Sequence, residues 1–227
     1  MGRVPEIRLD DSVAGRLVLA WVVVDGVQVR ERDAALEAEM AAFAQRLREE
    51  LQDANLLRER LGPARRLYRT FGIEPTKRRP SSEALIRRVL KGKGLYRINT
   101  VVDVCNWCSM EFALPIGLYD AAKIQGNVLC RVGGPNEGYA GIRKDWVNVS
   151  GRVALVDDLG PFGNPSSDSF RTSVDLSTRT ILFVVFAPAD HGVAQLEADL
   201  GRAATRLMRF NGGEVLTRQV VAGSSAH

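Results

Sequence analysis

Two runs of apolar residues constrain the fold of this chain more than any other feature. LVLAWVVV occupies residues 17–24 and ILFVVFA residues 181–187, and both are strand-length. Neither approaches the roughly 18 apolar residues that a membrane-spanning helix needs. The second run reads as a central strand. The first leads into Asp25-Gly26, and RLVLAWVVVDGVQVR reads as two strands about that turn. Between the two runs lie amphipathic segments and further short β-prone stretches: NVLCRVGG, GYAGI and RVALVDD. Strand-length runs alternating with amphipathic helices place the chain in the α/β class, as an α+β-type mixed sheet flanked by helices. At 227 residues it can bury a core without staples.

The helical segments are read from apolar spacing. Ala35, Leu36, Met40, Phe43, Leu47, Leu51 and Leu57 predict one long helix from about Asp33 to Leu61, stopped by Gly62-Pro63. RRPSSEALIRRVLKG opens a second, capped by Ser81 or Ser82, with Leu85, Ile86, Val89 and Leu90 buried. A third runs over residues 101–112, and a final one over DHGVAQLEADLGRAATRLMRF, closed by Asn211 to Gly213 before a last strand, EVLTRQVV. RVGGPNEG is glycine-rich, lacks the lysine and Ser/Thr of a phosphate loop, and reads as a hairpin turn. In domain terms, residues 1–62 form an N-terminal hairpin and long helix packed on a main domain of residues 63–227, one structural unit overall.

The cysteines carry no metal or redox signature. Cys105 and Cys108 have C-x-x-C spacing but fall within a helix already under way, whereas a redox pair wants its first cysteine at a helix N-terminus. Zinc would need further ligands from Cys130, His191 and His227, none suitably spaced. Buried structural thiols, with no metal and no cofactor, are expected. The N-terminus MGRVPEIRLDDS has no apolar segment after its arginine, and Glu6 stands where an acyl-anchor signal wants Ser or Thr, so a cytoplasmic protein is expected.

Charge is distributed unevenly. Residues 58–97 hold thirteen basic side chains and three glutamates, a net +10 in a chain whose total is +4. Such a field attracts polyanions. Arg65, Arg66, Arg69, Lys77, Arg78 and Arg79 are the candidate nucleic-acid contacts. The alternative is a solvated helix face with a basic connector.

Residues 161–172, PFGNPSSDSFRT, set short polar side chains behind Gly/Pro punctuation. They read either as an Asx- or ST-turn loop capping itself or as a pocket wall. Asn99, Asp103 and Asn106, at offsets of four and three, share one face of the third helix and either scaffold a pocket rim or contact a ligand directly.

These pieces recur in one order. The segment of residues 78–133, which contains INTVVDVCNWCSMEFALPIGLYDAAKI, followed by VALVDDLGPFGNPSSDSFRT, resembles the B3/B4 domain family. That is the tRNA-editing domain of the phenylalanyl-tRNA synthetase β subunit, also found free-standing, and the resemblance covers roughly residues 60–215. It rests on Asn99, Asp103 and Asn106 before a small-residue/Pro turn and on the aromatic-Asp pair Tyr119-Asp120. The resemblance implies hydrolysis of the ester joining a wrong amino acid, tyrosine, to phenylalanine tRNA. Such an ester needs an oriented water and a stabilised oxyanion more than a catalytic triad.

Two departures stand out. The family's histidine, three residues before the aspartate of its aromatic-Asp pair, is matched here by Gly117. The family's Gly-Gly-Glu segment is matched by Gly163-Asn164-Pro165, with no glutamate between Asn148 and Arg179. Asp168, Ser167 and Thr172 are therefore the catalytic candidates. Asn99, Asp103, Asn106, Gly117, Tyr119, Gly163, Asn164, Ser166, Ser169 and Arg171 are the pocket candidates. Arg171 either binds a carboxylate or phosphate or pairs with Asp168 or Asp175. Three functions follow: an RNA-binding module for tRNA or aminoacyl-tRNA, a trans-acting hydrolase of misacylated tRNA, or a protein that binds an amino-acid-like small molecule or is structural.

Overall fold

A computed structural model of the chain describes residues 4–142 and 144–223; His227 lies outside the described residues. The two apolar runs become β2 (Leu17–Asp25) and β10 (Thr180–Pro188), paired antiparallel along their full length. β11 (Glu214–Ala222) adds to the free side of β2, and β3 (Ile116–Asp120) to the free side of β10, giving the order β11-β2-β10-β3. Successive side chains on a strand point to opposite faces, so β2 and β10 supply two layers of core. Val18, Ala20, Val22, Phe183 and Val185 face one side; Leu19, Trp21, Val23, Leu182 and Phe186 face the other.

Helices cover the first face: α1 (Ala34–Glu50), α3 (Ser81–Leu90), α4 (Thr100–Phe112) and α5 (Val193–Asn211). Their apolar stripes, including Leu36 and Met40, Ile86 and Val89, Val101 and Val104, Leu196 and Leu200, meet the sheet there. A second sheet covers the other face, in the order β1 (Ile7–Leu9), β4 (Val128–Val132), β7 (Val153–Asp157), β8 (Gly160–Asn164), β9 (Ser167–Asp168). The β1–β4 pair is parallel and the others antiparallel, so this sheet is mixed. Ile7, Val128, Cys130, Leu155 and Phe162 pack from it against Trp21 and Phe186. β5 (Gly138–Gly141) and β6 (Lys144–Asn148) form a separate two-stranded hairpin. The molecule is thus a mixed α/β structure with flanking helices, as expected. Among the described residues no helix is long and apolar enough to cross a membrane.

Several local expectations are corrected. The chain after Asp25 does not return as a strand, because Val27 and Gln28 donate instead to the carbonyls of Arg179 and Asn211. The long helix is two, α1 and α2 (Ala54–Thr70). Asp53 breaks it by capping α2, its carboxylate accepting from the amides of Asn55 and Leu56. Gly62-Pro63 lies inside α2 rather than ending it. Leu61, Ala64, Leu67 and Tyr68 are buried on both sides of the proline, and that packing holds the helix through the missing N–H. α3 begins at Ser81 after Pro80 with no side-chain cap, because the Ser81 hydroxyl is used elsewhere. RVGGPNEG turns at Gly134 to Glu137 but joins two different sheets, since β4 and β5 do not pair.

Candidate functional site

The segment PFGNPSSD, read from sequence as a polar loop, is a β-hairpin. Gly163 lies opposite Asp168 and Asn164 opposite Ser167. Asn164 shapes the tip: its Oδ1 accepts from the amides of Ser166 (2.7 Å) and Ser167 (3.0 Å), an Asx turn that fixes the reversal. Two helices hold the tip. Tyr68 on α2 donates to the Pro165 carbonyl at 3.0 Å and lies 2.7 Å from Ser166 Oγ, and Ser81 on α3 donates to the same carbonyl at 3.2 Å. Burial pushes the Tyr68 phenol up to about 12, so it remains a donor. The hairpin is therefore a braced wall.

That wall faces α4 and β3 across a cleft of about 370 Å³. Asn106, Val102 and Cys105 on α4, Ile116 and Leu118 on β3, and Ser166, Ser167 and Asp168 on the hairpin line it. Ile98, Ile142 and Phe170 stand exposed at its mouth, Phe170 at 70%. The volume and the mainly apolar lining with a few polar groups suit a small organic ligand. Among the described residues Asp168 supplies the one carboxylate of that lining, and no Lys or Arg is part of it.

Asp168 is partly exposed to the cleft, yet the protein around its carboxyl raises its pKa from an ordinary 3.8 to about 7. Desolvation is the main cause, opposed by the Tyr119 hydroxyl and by the Leu118 amide, which donates to Oδ2 at 3.4 Å. Tyr119 is fully buried, its ring edge-on to Phe162 at 5.0 Å. Its hydroxyl faces Asp168 without a well-formed hydrogen bond and has no other partner among the described residues.

The same hydroxyl explains two glycines. A Cβ on Gly117 or on Gly163 would stand 2.1 Å from Tyr119 Oη. On β3, residues 117 and 119 share a face, so the phenol occupies the space that a side chain at 117 would enter. Position 117 is therefore closed to a side chain by Tyr119.

The remaining candidates separate. Asn106 lines the cleft, and its side chain makes no hydrogen bond within the described residues. Asn99 is spent as the N-cap of α4, accepting from the Val102 amide at 3.0 Å. Asp103 is buried and accepts from the Ile98 amide at 3.2 Å; burial raises its pKa, with Arg97 4.0 Å away opposing. Ser169 and Thr172 are buried and bonded to each other through their hydroxyls at 2.8 Å. Arg171 pairs bidentately with Asp157 at 2.8 and 2.9 Å, not with Asp168 or Asp175. Ser169, Arg171 and Thr172 thus brace the wall from behind, outside the cleft lining. All three cysteines are free and buried; burial raises each thiol, Cys108 to about 12.

The basic stretch also divides. Arg65 is bound bidentately to the buried Glu83 at 2.7 Å, where Arg87 also converges and Arg79 stands at 3.6 Å. Arg66 pairs with Asp190. Arg69 and Lys77 are exposed. Arg78 and Arg79 line a second groove, of about 360 Å³, on the far side of the hairpin tip. It also holds Arg152 and Trp146, neither assigned from sequence, and shares Asn164, Ser166 and Ser167 with the cleft. Arg152 carries no sequence signal, because sequence does not show that the strand after it starts beside the hairpin.

Comparison with known proteins identifies a family. Residues 63–222 match the B3/4 domain. The chain belongs to the B3/4 domain family. It is 26% identical over 140 residues to the phenylalanine–tRNA ligase beta subunit of Bartonella henselae, covering 59% of this chain and 17% of that protein. The corresponding subunit of Brucella suis biovar 1 is 25% identical over 148 residues, covering 62% and 18%. The chain thus spans less than a fifth of the length of these curated relatives. A crystal structure of an N-terminal fragment of the phenylalanyl-tRNA synthetase beta-subunit from Pyrococcus horikoshii aligns with TM-score 0.49 and 14% identity, over 95% of this chain and 52% of that one.

Proposed function

We propose that this chain is an RNA-binding module of the B3/4 type that takes the aminoacyl end of a tRNA into the Asp168 cleft. The charge inventory of the cleft carries the reading: among the described residues its lining holds one carboxylate and no cation. A free amino acid brings a carboxylate as well as an ammonium, and burying that carboxylate beside Asp168 without a cation is costly. An amino acid esterified to a ribose hydroxyl brings only the ammonium. Asp168 meets that charge, and the apolar walls from Val102, Ile116 and Leu118 take the side chain. The relatives' names, which specify a tRNA ligase subunit, agree with this ligand. The reading takes the whole chain as one unit, because β2 runs between β10 and β11.

A second reading, hydrolysis, is favoured by the pKa of Asp168. A carboxyl titrating near 7 is a far better base than an ordinary aspartate. In such a step Asp168 takes a proton from water as the water oxygen attacks the ester carbonyl. The tetrahedral intermediate then expels the ribose oxygen, which regains the proton from Asp168, leaving free amino acid and tRNA. The Asn106 amide lines the same cleft, and in this reading it donates to the oxyanion. The amides of Ser166 and Ser167 are not available, being bound to Asn164.

A panel of aminoacyl-tRNAs, assayed for binding and deacylation with one protein preparation, tests both readings. Aminoacylated tRNA should bind more tightly than the same tRNA deacylated, and Asp168→Asn should remove that difference. For hydrolysis, the rate should rise about tenfold per pH unit below about pH 7 and level off above it. Equal affinity for charged and uncharged tRNA, or tighter binding of free amino acids, would defeat the aminoacyl-end reading. Deacylation unchanged in Asp168→Asn would defeat the base assignment.

A further inference from the structure

The groove on the other side of the hairpin tip has a composition unlike the cleft. Arg78, Arg79 and Arg152 converge on it, and among the described residues no acid lines it. Arg79 shares Glu83 with two other arginines, while Arg78 and Arg152 have no carboxylate partner among the described residues. Arg152 is half-buried, one guanidinium nitrogen donating to the Asn148 carbonyl at 2.9 Å. Burial, and then the Arg78 charge, lower its pKa. Two guanidiniums held near each other without a counter-charge repel, and an anion between them relieves that repulsion.

Trp146 on β6 forms another part of the groove. It is 61% exposed, whereas Trp21 and Trp107 are buried. Its indole lies over Gly138 of the paired strand, where a Cβ would stand 2.6 Å from Trp146 Cε2. The glycine lets the ring lie close along the hairpin while much of it remains open to solvent. Arginines with no carboxylate partner among the described residues, beside an open indole, combine the two elements used to hold single-stranded nucleic acid: cations for the backbone and a platform for a base.

We propose that this groove seats the single-stranded end of an RNA, with phosphate between Arg78 and Arg152 and a base stacked on Trp146. The proposal rests on the aminoacyl-end reading and extends it. Asn164, Ser166 and Ser167 line both spaces, so an RNA strand in the groove passes the hairpin tip and brings its terminal ester to Asp168. The cleft takes the amino acid and the groove takes the nucleotides before it. Arg65 and Arg66, engaged with Glu83 and Asp190, are not part of this contact.

Tryptophan fluorescence of the full chain tests the proposal, because exposed emission comes from Trp146 alone among the three indoles. The protein is titrated with full-length tRNA and with an RNA trinucleotide, and iodide access to the indole is read at each point. Binding should quench the exposed emission and shield it from iodide. Trp146→Ala should weaken tRNA binding about tenfold or more, and Trp146→Phe should restore much of the affinity. Arg78→Gln with Arg152→Gln should weaken binding and lower the slope of log K against log salt by about 0.7 for each phosphate no longer neutralised. Circular dichroism confirms that each variant is folded. If tRNA binds wild-type protein while Trp146 stays open to iodide and the variants bind unchanged, the groove assignment is overturned and the aminoacyl-end reading stands. If wild-type protein binds no RNA, both fall. If oligoglutamate quenches Trp146 as well as the trinucleotide does, the groove is a general anion site and the base-stacking assignment is overturned.

Discussion

Asp168→Asn should stabilise the protein, and the gain should depend on pH. The carboxyl titrates at 3.8 when unperturbed and at about 7 in the folded chain. Folding therefore favours its protonated form, so between these values the folded state holds more protons than the unfolded one. Stability then falls as pH rises from about 4 to about 7, and is level on either side. Each tenfold change in acidity is worth about 1.4 kcal/mol. The full rise corresponds to about 4 kcal/mol, and the partial exposure of Asp168 reduces this to about 2–4 kcal/mol.

Asparagine keeps the size of the side chain, retains an oxygen for the Leu118 amide, and cannot ionise. It resembles the protonated aspartate that the folded state prefers. The stabilisation should be near zero at about pH 3, grow through the window, and reach its plateau above about pH 7. Urea denaturation at about pH 4 and about pH 8 measures it. With a slope of about 2–3 kcal/mol per molar, the variant's midpoint should lie about 1 M above wild type at the higher pH. A difference that is the same at both pH values, or a variant less stable than wild type at about pH 8, would refute the reasoning, because Asp168 would then not be held against its own ionisation. A residue that costs stability while charged and sits in a ligand cleft has the energetic profile of a functional group.

Three other substitutions probe the supporting structure. Gly117→Ala should destabilise by about 1–3 kcal/mol, because its methyl would overlap Tyr119 Oη, and a Tyr119→Ala background should relieve much of that penalty in a double-mutant cycle. Arg171→Met should cost about 3–5 kcal/mol by stranding the buried Asp157 carboxylate, and adding Asp157→Asn should recover part of it; equal thermal midpoints for wild type and the single variant would contradict this. Arg65→Gln should lower stability by about 1–3 kcal/mol through its Glu83 bonds while leaving the salt dependence of tRNA binding unchanged; a shallower salt slope would return Arg65 to the RNA surface.

The elements legible in the sequence are those whose pattern is local. The runs at residues 17–24 and 181–187 read as strands because six or more consecutive apolar side chains leave few other options, and they do form β2 and β10. The turn at Asp25-Gly26 does not start a hairpin because the partners of Val27 and Gln28 are Arg179 and Asn211, remote in the chain. The break at residues 51–53 turns on Asp53 acting as a cap, a role that apolar periodicity does not report. PFGNPSSD looks unlike a strand because hairpin pairing at β8 and β9 is set by the Asn164 turn, not by apolar alternation. Asp168 is legible as a candidate site residue by its isolation among hydroxyls. Trp146 and Arg152 are not, because the surface they share is assembled from β6 and the start of β7 against the segment before α3.

Position 117 shows how a departure from a family pattern acquires a physical meaning only in three dimensions. In sequence, glycine where the family has histidine reads as loss of a base and nothing more. In the fold, Gly117 and Gly163 are the two walls of a slot just wide enough for the Tyr119 hydroxyl, and that hydroxyl looks onto Asp168. Histidine could not be introduced at 117 alone, since its Cβ would meet the phenol at 2.1 Å. Glycine at 117 is therefore coupled to residues 119, 163 and 168. Burial, a separate effect, desolvates Asp168 and lifts it to about 7, close to the ordinary pKa of an imidazole. A search for relatives with the same chemistry should thus follow the four positions together, because glycine at 117 has this consequence only when a tyrosine at 119 fills the space it leaves.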